Sequence, residues 1–174
     1  MRSPARGAIR SRSRWTAAAV AAMLLLGGCA TTPRTPAQSM GASLLRVSEA
    51  LIGTPYRYGG ADRRGFDCSG LVYFVHAQLG LQVPRTAAAQ HAAARPVGRR
   101  ALAQGDLVFF RTRPAGEVDH VGVYVGADRF VHAPGSGRTV AYGSLEDPWY
   151  ATRLVGAGRF WVPQVLPGAA HAAP

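Results

Sequence analysis

Three side chains in this sequence have the types and spacing to attack a carbonyl and move a proton: Cys68, His120 and His132. Cys68 directly follows Asp67, a favoured helix-capping residue, so the thiol is expected in the first turn of a helix. Unpaired backbone N–H groups and the positive end of the helix dipole favour a thiolate there. An ordinary thiol with a pKa of ~8.5 is only a few per cent ionised at neutral pH, and such a setting lowers that value. The charge of Asp67 opposes ionisation unless it is committed to capping. Taken alone, Cys68 fits a small buried hydrophobe equally well.

The histidines tip this balance. His120 and His132 flank a turn at Gly126-Ala127-Asp128, between two segments that alternate as strands do. Val121, Val123, Val125 and Val131 then share an apolar face, while His120, Gly122, Tyr124, Phe130 and His132 share the other. A plain two-residue turn would put the two imidazoles on opposite faces, so a three-residue loop or a bulge is expected. Gly122 would then face His132, and His120 would be its diagonal neighbour, roughly 7–8 Å away by Cα. This gives a workable triad: His120 takes the proton of Cys68, and His132 fixes the tautomer of His120. His76, His91 and His171 lack such a setting and read as structural or solvated.

The elements that must position these groups can be traced along the chain. Leu44, Leu45, Val47, Leu51 and Ile52 have helical spacing and stop at Gly53 and Pro55. Thr54–Phe66 reads as a loop. Asp67 opens the helix of Cys68, with Leu71, Val72, Val75 and Leu79 on one side as far as Gly80, and Thr86–Ala94 is a short helix. After Gly105 the period changes to two, with strands expected at Asp106–Phe110, Asp119–Val125, Arg129–Ala133, Arg138–Tyr142 and Arg159–Val162. Helices followed by an antiparallel meander indicate an α+β domain.

Composition removes several alternatives. At 174 residues the chain suits one domain with tails. Two cysteines are too few for a disulfide scaffold or a four-ligand zinc cluster. All 20 basic residues are arginine, which excludes a Schiff-base lysine and a P-loop lysine. Metal catalysis would need a third close ligand that the sequence does not offer. No cofactor is expected.

The first 14 residues carry five arginines and no acid, and an apolar run from Trp15 to Leu26 follows. This is the pattern of an export signal, too short to span a bilayer that needs about 20 residues. The tetrad Leu26-Gly27-Gly28-Cys29 resembles the lipobox of bacterial lipoproteins. That resemblance implies cleavage before Cys29, lipid attachment there (a palmitate-type acyl chain included) and a membrane anchor. Ala30 after it resembles the sorting pattern for the periplasmic face of a Gram-negative outer membrane. The competing uses of that residue are an ordinary buried cysteine after a signal peptide and a disulfide from Cys29 to Cys68. Removing residues 1–28 leaves fifteen arginines against nine acids, a charge of +6. The expected organisation is a signal peptide at 1–28, a lipidated Cys29 and flexible tether over 29–41, the domain over 42–162, and a disordered tail over 163–174.

Six blocks in order resemble the NlpC-type cell-wall cysteine peptidases: Gly53–Gly60, Phe66–Val72, Pro84–Thr86, Gly105–Phe110, His120–Gly126 and Phe130–Ala133. The likeness is closest to single-domain lipoprotein murein endopeptidases. It implies a papain-like fold, with helices packed on a small antiparallel sheet. It also implies Cys68 as nucleophile, His120 as general base and His132 as the orienting residue. Tyr56 matches a residue beside the nucleophile; its hydroxyl either joins the backbone N–H of Cys68 in holding an oxyanion or only packs the loop. Ser69 and Arg85 are further candidates for oxyanion or substrate binding, although Asp67, Ser69, Arg85, Gln90 and Asp106 read mainly as framework. The implied activity is hydrolysis of amide bonds in peptidoglycan stem peptides or cross-links; a monomer is expected, and export argues against a nucleic-acid partner. Two other classes stay open: a thiol-dependent amidase or acyltransferase of the same architecture, and a non-catalytic wall-binding lipoprotein.

Overall fold

The structure, a computed structural model, describes residues 36–161. The expected signal peptide, Cys29, the tether to residue 35, His171 and the tail lie outside them. Helix α1, Pro36–Glu49, begins inside the segment expected as tether. A proline suits a first helical turn, where its missing N–H costs nothing. Leu44, Ser48 and Leu51 are buried along α1 and the turn after it, and the Ser48 hydroxyl bonds the Leu45 carbonyl at 2.8 Å.

The segment expected as a loop contains a small hairpin, β1 (Ala61–Asp62) and β2 (Gly65–Phe66). Helix α2, Cys68–Ala77, follows at once with Asp67 as its cap, and α3 is Ala87–Ala93, capped by Thr86. Then come β3 (Arg95–Val97), β4 (Leu107–Phe110), β5 (His120–Gly126), β6 (Arg129–His132), β7 (Ala141–Ser144), the single-turn helix α4 (Pro148–Ala151) and β8 (Leu154–Arg159). Six strands form one antiparallel sheet in the order β3-β8-β4-β5-β6-β7.

Three strands of this sheet depart from expectation: β3 has no counterpart among the expected strands. β7 lies a few residues beyond the expected Arg138–Tyr142, and the last strand lies before Arg159 rather than after it. Gly156 and Gly158 hide β8 from any alternation of side chains. Gly158 is needed there, because a Cβ would sit 2.5 Å from the Ala94 Cβ.

The hairpin of β5 and β6 carries the expected bulge. Val123 pairs with Val131 and Tyr124 with Phe130, but Gly126 pairs with Arg129, leaving Val125 unmatched. Ala127 and Asp128 form a two-residue turn with φ of 49° and 52°, as a primed hairpin turn requires. The extra residue in β5 restores the shared face of His120 and His132.

Both sheet faces are covered. Leu71, Val72 and Val75 of α2 meet Val121, Val123 and Val131 on the helical side. On the other side Val108, Phe110, Phe130 and Leu145 close a second, aromatic layer with Tyr124 and Tyr150. The face that carries the histidines is therefore buried aromatic core.

Candidate active site

Asp67 sets the start of α2. Its Oδ1 accepts from the Gly70 N–H at 2.6 Å, and Arg85 grips the carboxylate through both guanidinium nitrogens at 2.9 and 2.8 Å. The Gly59 N–H donates to Oδ2 at 3.0 Å. Burial alone would raise this carboxyl, but Arg85, the Gly70 N–H and Ser69 hold it below the ordinary range. Arg85 also donates to Ser69 Oγ at 3.1 Å and to the Gly60 carbonyl at 3.2 Å. Gly70 makes this approach possible, since a Cβ would overlap the Gly60 carbonyl oxygen. Gln90 joins the segments by donating to the Ser69 and Pro84 carbonyls at 3.0 and 2.8 Å. Ser69 and Arg85 thus act on Asp67 and the loop. Asp106, wholly buried, takes Arg159 and the Ala103 N–H.

Cys68 is a free thiol, partly open to solvent. It donates to the Asp119 carbonyl at 3.8 Å, while the backbone N–H groups of Val121, Ser69 and Cys68 favour its anion. Burial, followed by the Asp67 charge, outweighs these donors and pushes the thiol up to about 11. The resting thiolate expected from the helix dipole is therefore not what this setting favours. A fixed carboxylate one residue away and a sheet packed against the sulfur weigh more than the unpaired N–H groups.

His120 and His132 meet through Nε2 and Nδ1 at 2.7 Å, with rings nearly perpendicular. Burial holds His120 down to about 4, with Asp119 opposing, and His132 down to about 3, with the charges of His120 and Arg138 adding. The far nitrogen of His132, Nε2, lies 3.4 Å from the Tyr150 hydroxyl. One tautomer assignment satisfies this chain and keeps His120 Nδ1 open as a proton acceptor. His120 Nε2–H donates to His132 Nδ1, and His132 Nε2–H donates to Tyr150. The thiol bonds the peptide oxygen that precedes His120 and is flanked by the N–H that follows it, rather than bonding the imidazole.

Tyr56 stands at the same place. Burial raises its phenol, and then the charges of Cys68 and Asp67 raise it further. Of the remaining histidines, His76 is fully buried and bonds the Val72 carbonyl at 2.9 Å, and His91 packs its edge on Phe109. Two residues that the sequence did not single out belong to the site. Asp119 accepts from Thr112 N–H and Oγ1 at 2.6 and 2.8 Å, which fixes the strand start that touches the thiol. Tyr150 sits on a single-turn helix without periodicity, so no sequence signal marks it.

Comparison with known proteins gives consistent relatives. The chain is 45% identical over 119 residues to the murein DD-endopeptidase MepH of Escherichia coli, covering 66% of this chain and 44% of that one. It is 36% identical to the probable endopeptidase NlpC homolog of Haemophilus influenzae, covering 69% and 63% of the two chains. The match thus spans less than half of MepH and less than two thirds of the Haemophilus protein. Among solved structures, an NlpC/P60 family protein from Bacillus cereus superposes with a TM-score of 0.66 at 31% identity, covering 69% of this chain and 40% of that one. The NlpC/p60 domain of the peptidoglycan hydrolase SagA gives 0.60 at 33% identity, covering 68% and 97%. The fold is the α+β, papain-like arrangement of these neighbours. Residues 53–159 match the NlpC/P60 family, to which this chain belongs.

Proposed function

We propose that the chain is a cysteine endopeptidase of the cell envelope that hydrolyses amide bonds in peptidoglycan stem peptides or cross-links. The observation that carries this reading is the pairing of His120 with His132 at 2.7 Å, on the strand whose first peptide groups touch the Cys68 sulfur. Relatives named as murein and NlpC-type endopeptidases supply the substrate class.

In this mechanism the resting pair is a neutral thiol and a neutral imidazole. As Cys68 Sγ attacks the amide carbonyl carbon, its proton passes to His120 Nδ1, and His132 holds the ring through Nε2. The oxyanion is held by the Cys68 N–H with the Tyr56 hydroxyl. His120 gives the proton to the departing amine, leaving a thioester on Cys68. Water then attacks the thioester with His120 as base, releasing the acid and restoring the thiol.

Incubating purified sacculi with the wild type and with Cys68→Ala or His120→Ala tests the reading. The wild type should release muropeptides carrying new amino groups within the stems, and either variant should lower release by about 10⁴-fold. Undiminished release by both variants would refute it. Export and lipid anchoring at Cys29 belong to the same proposal. Replacing Cys29 with serine should abolish labelling by a radioactive fatty acid and free the chain from membranes.

A further inference from the structure

An arginine-lined cavity is linked to the thiol through Asp119. Eight residues line a cavity of about 460 Å³, a size usual for small-ligand sites: the segments 111–114 and 152–155, with Leu154 and Val155 as its apolar wall. Three of the eight, Arg111, Arg113 and Arg153, are arginines and none is acidic. The cavity is tied to the reacting sulfur through one residue. Asp119 bonds Thr112 with its carboxylate and meets Cys68 Sγ with its carbonyl. The Arg111 N–H donates to the Arg153 carbonyl at 3.0 Å, which brings the two arginine-bearing segments side by side.

The three guanidiniums are not equally engaged. Arg113 contacts Asp119 at 3.4 Å, yet its side chain remains 83% exposed. Arg153 bonds the Trp149 carbonyl at 2.9 Å and lies over the Trp149 ring, so its charge is held without a counter-ion. Arg111 is exposed and has neither an ion pair nor a side-chain hydrogen bond among the described residues. Asp119 is already satisfied by Thr112 and Arg113, and Glu117, which shares a neighbouring cavity with Arg111, makes no ion pair with it among the described residues. A planar guanidinium without a partner beside two others is suited to a bidentate carboxylate.

We infer that this cavity is a carboxylate subsite, which binds a free carboxyl group of the peptide whose neighbouring amide lies at Cys68. The inference rests on the peptidase reading for the identity of the peptide, and not for the chemistry of the cavity. It assigns Arg111 as the main anchor and Arg153 as the second cation. A peptide with that carboxyl amidated would lose the contact.

Calorimetric titration of the Cys68→Ala chain separates binding from turnover. The probes are a synthetic stem peptide with free carboxyl groups and its carboxamide counterpart. The free acid should bind at least tenfold more tightly, and Arg111→Gln should reduce that preference to less than threefold. Arg129→Gln, which removes an equal charge at the far end of the hairpin, should leave the preference intact. Equal affinity for the two peptides, an unchanged preference in Arg111→Gln, equal losses in both arginine variants, or no binding of either peptide would overturn the subsite. Failure of the peptidase reading looks different: the preference and its loss in Arg111→Gln persist, but the unmodified chain releases nothing from sacculi.

Discussion

The cysteine end of the site is held by charge, whereas the histidine end is held by packing. Around Cys68, the carboxylate of Asp67 is gripped by two guanidinium nitrogens and two backbone N–H groups, at a surface where Arg85 stays 36% exposed. Around His120 and His132 lie Phe110, Phe130 and Tyr150, with ring centroids 4.9–6.0 Å apart and few polar partners. Yet both environments favour neutral forms. The fixed anion and burial raise the thiol to about 11, and dry packing lowers the imidazoles to about 4 and 3. The proton therefore stays on the sulfur at rest, and its transfer to His120 accompanies attack on the substrate carbonyl without changing the net charge of the pair.

This contrast can be broken from either end. Among changes that leave Cys68 and His120 in place, the largest effect should come from His132→Ala, which leaves His120 free to adopt the wrong tautomer. Turnover should fall about 10³-fold, some 4 kcal/mol of barrier, with little change in KM. On the cysteine side, Arg85→Met leaves the Asp67 carboxylate with backbone and hydroxyl donors only. Urea unfolding should show a loss of about 2 kcal/mol, moderated by the partial exposure of Arg85. The same variant should raise the pH needed to alkylate Cys68, since the anion beside it is no longer neutralised.

Acidity should act on the packed side. His76, His120 and His132 all have folded pKa values lowered by burial, to about 4, 4 and 3. Below about 6.5 the unfolded chain takes up protons that the folded chain refuses, so stability falls as pH falls from that value towards 4. Urea unfolding at pH 7 and pH 5 should differ in favour of pH 7, by about 2 kcal/mol for each of the three histidines. The rate should follow a broader window. kcat/KM should decline below about 4, where His120 is already protonated, and above about 11, where the thiol has lost the proton that the leaving amine needs. The smallest effect is expected for Tyr150→Phe. Its 3.4 Å contact to His132 is weak, so a roughly threefold loss of turnover should accompany a measurable shift of the acid limb.

The sequence made the chemistry more legible than the scaffold around it. Asp67 before Cys68, the helix after it, and the need for an extra residue between His120 and His132 all follow from local rules. Each reappears in α2 and in the bulge at Val125. β3 and β8 were not legible for local reasons. β3 is a three-residue edge strand containing Pro96, and β8 alternates glycines whose absent side chains leave no hydrophobic period. The environment of the thiol was missed for a different reason. A helix start is visible in sequence, whereas the sheet that buries the sulfur and the carboxylate fixed by Arg85, eighteen residues away, are tertiary. Tyr150 belongs to the same class, because it reaches His132 only through the fold.

The most direct measurement is muropeptide release as a function of the fraction of Cys68 alkylated by iodoacetamide, with the modified residue counted by peptide mass mapping. Release should fall in a straight line and reach zero when every Cys68 is modified. A fully alkylated chain that still frees muropeptides at the original rate would contradict the assignment of this sulfur as nucleophile.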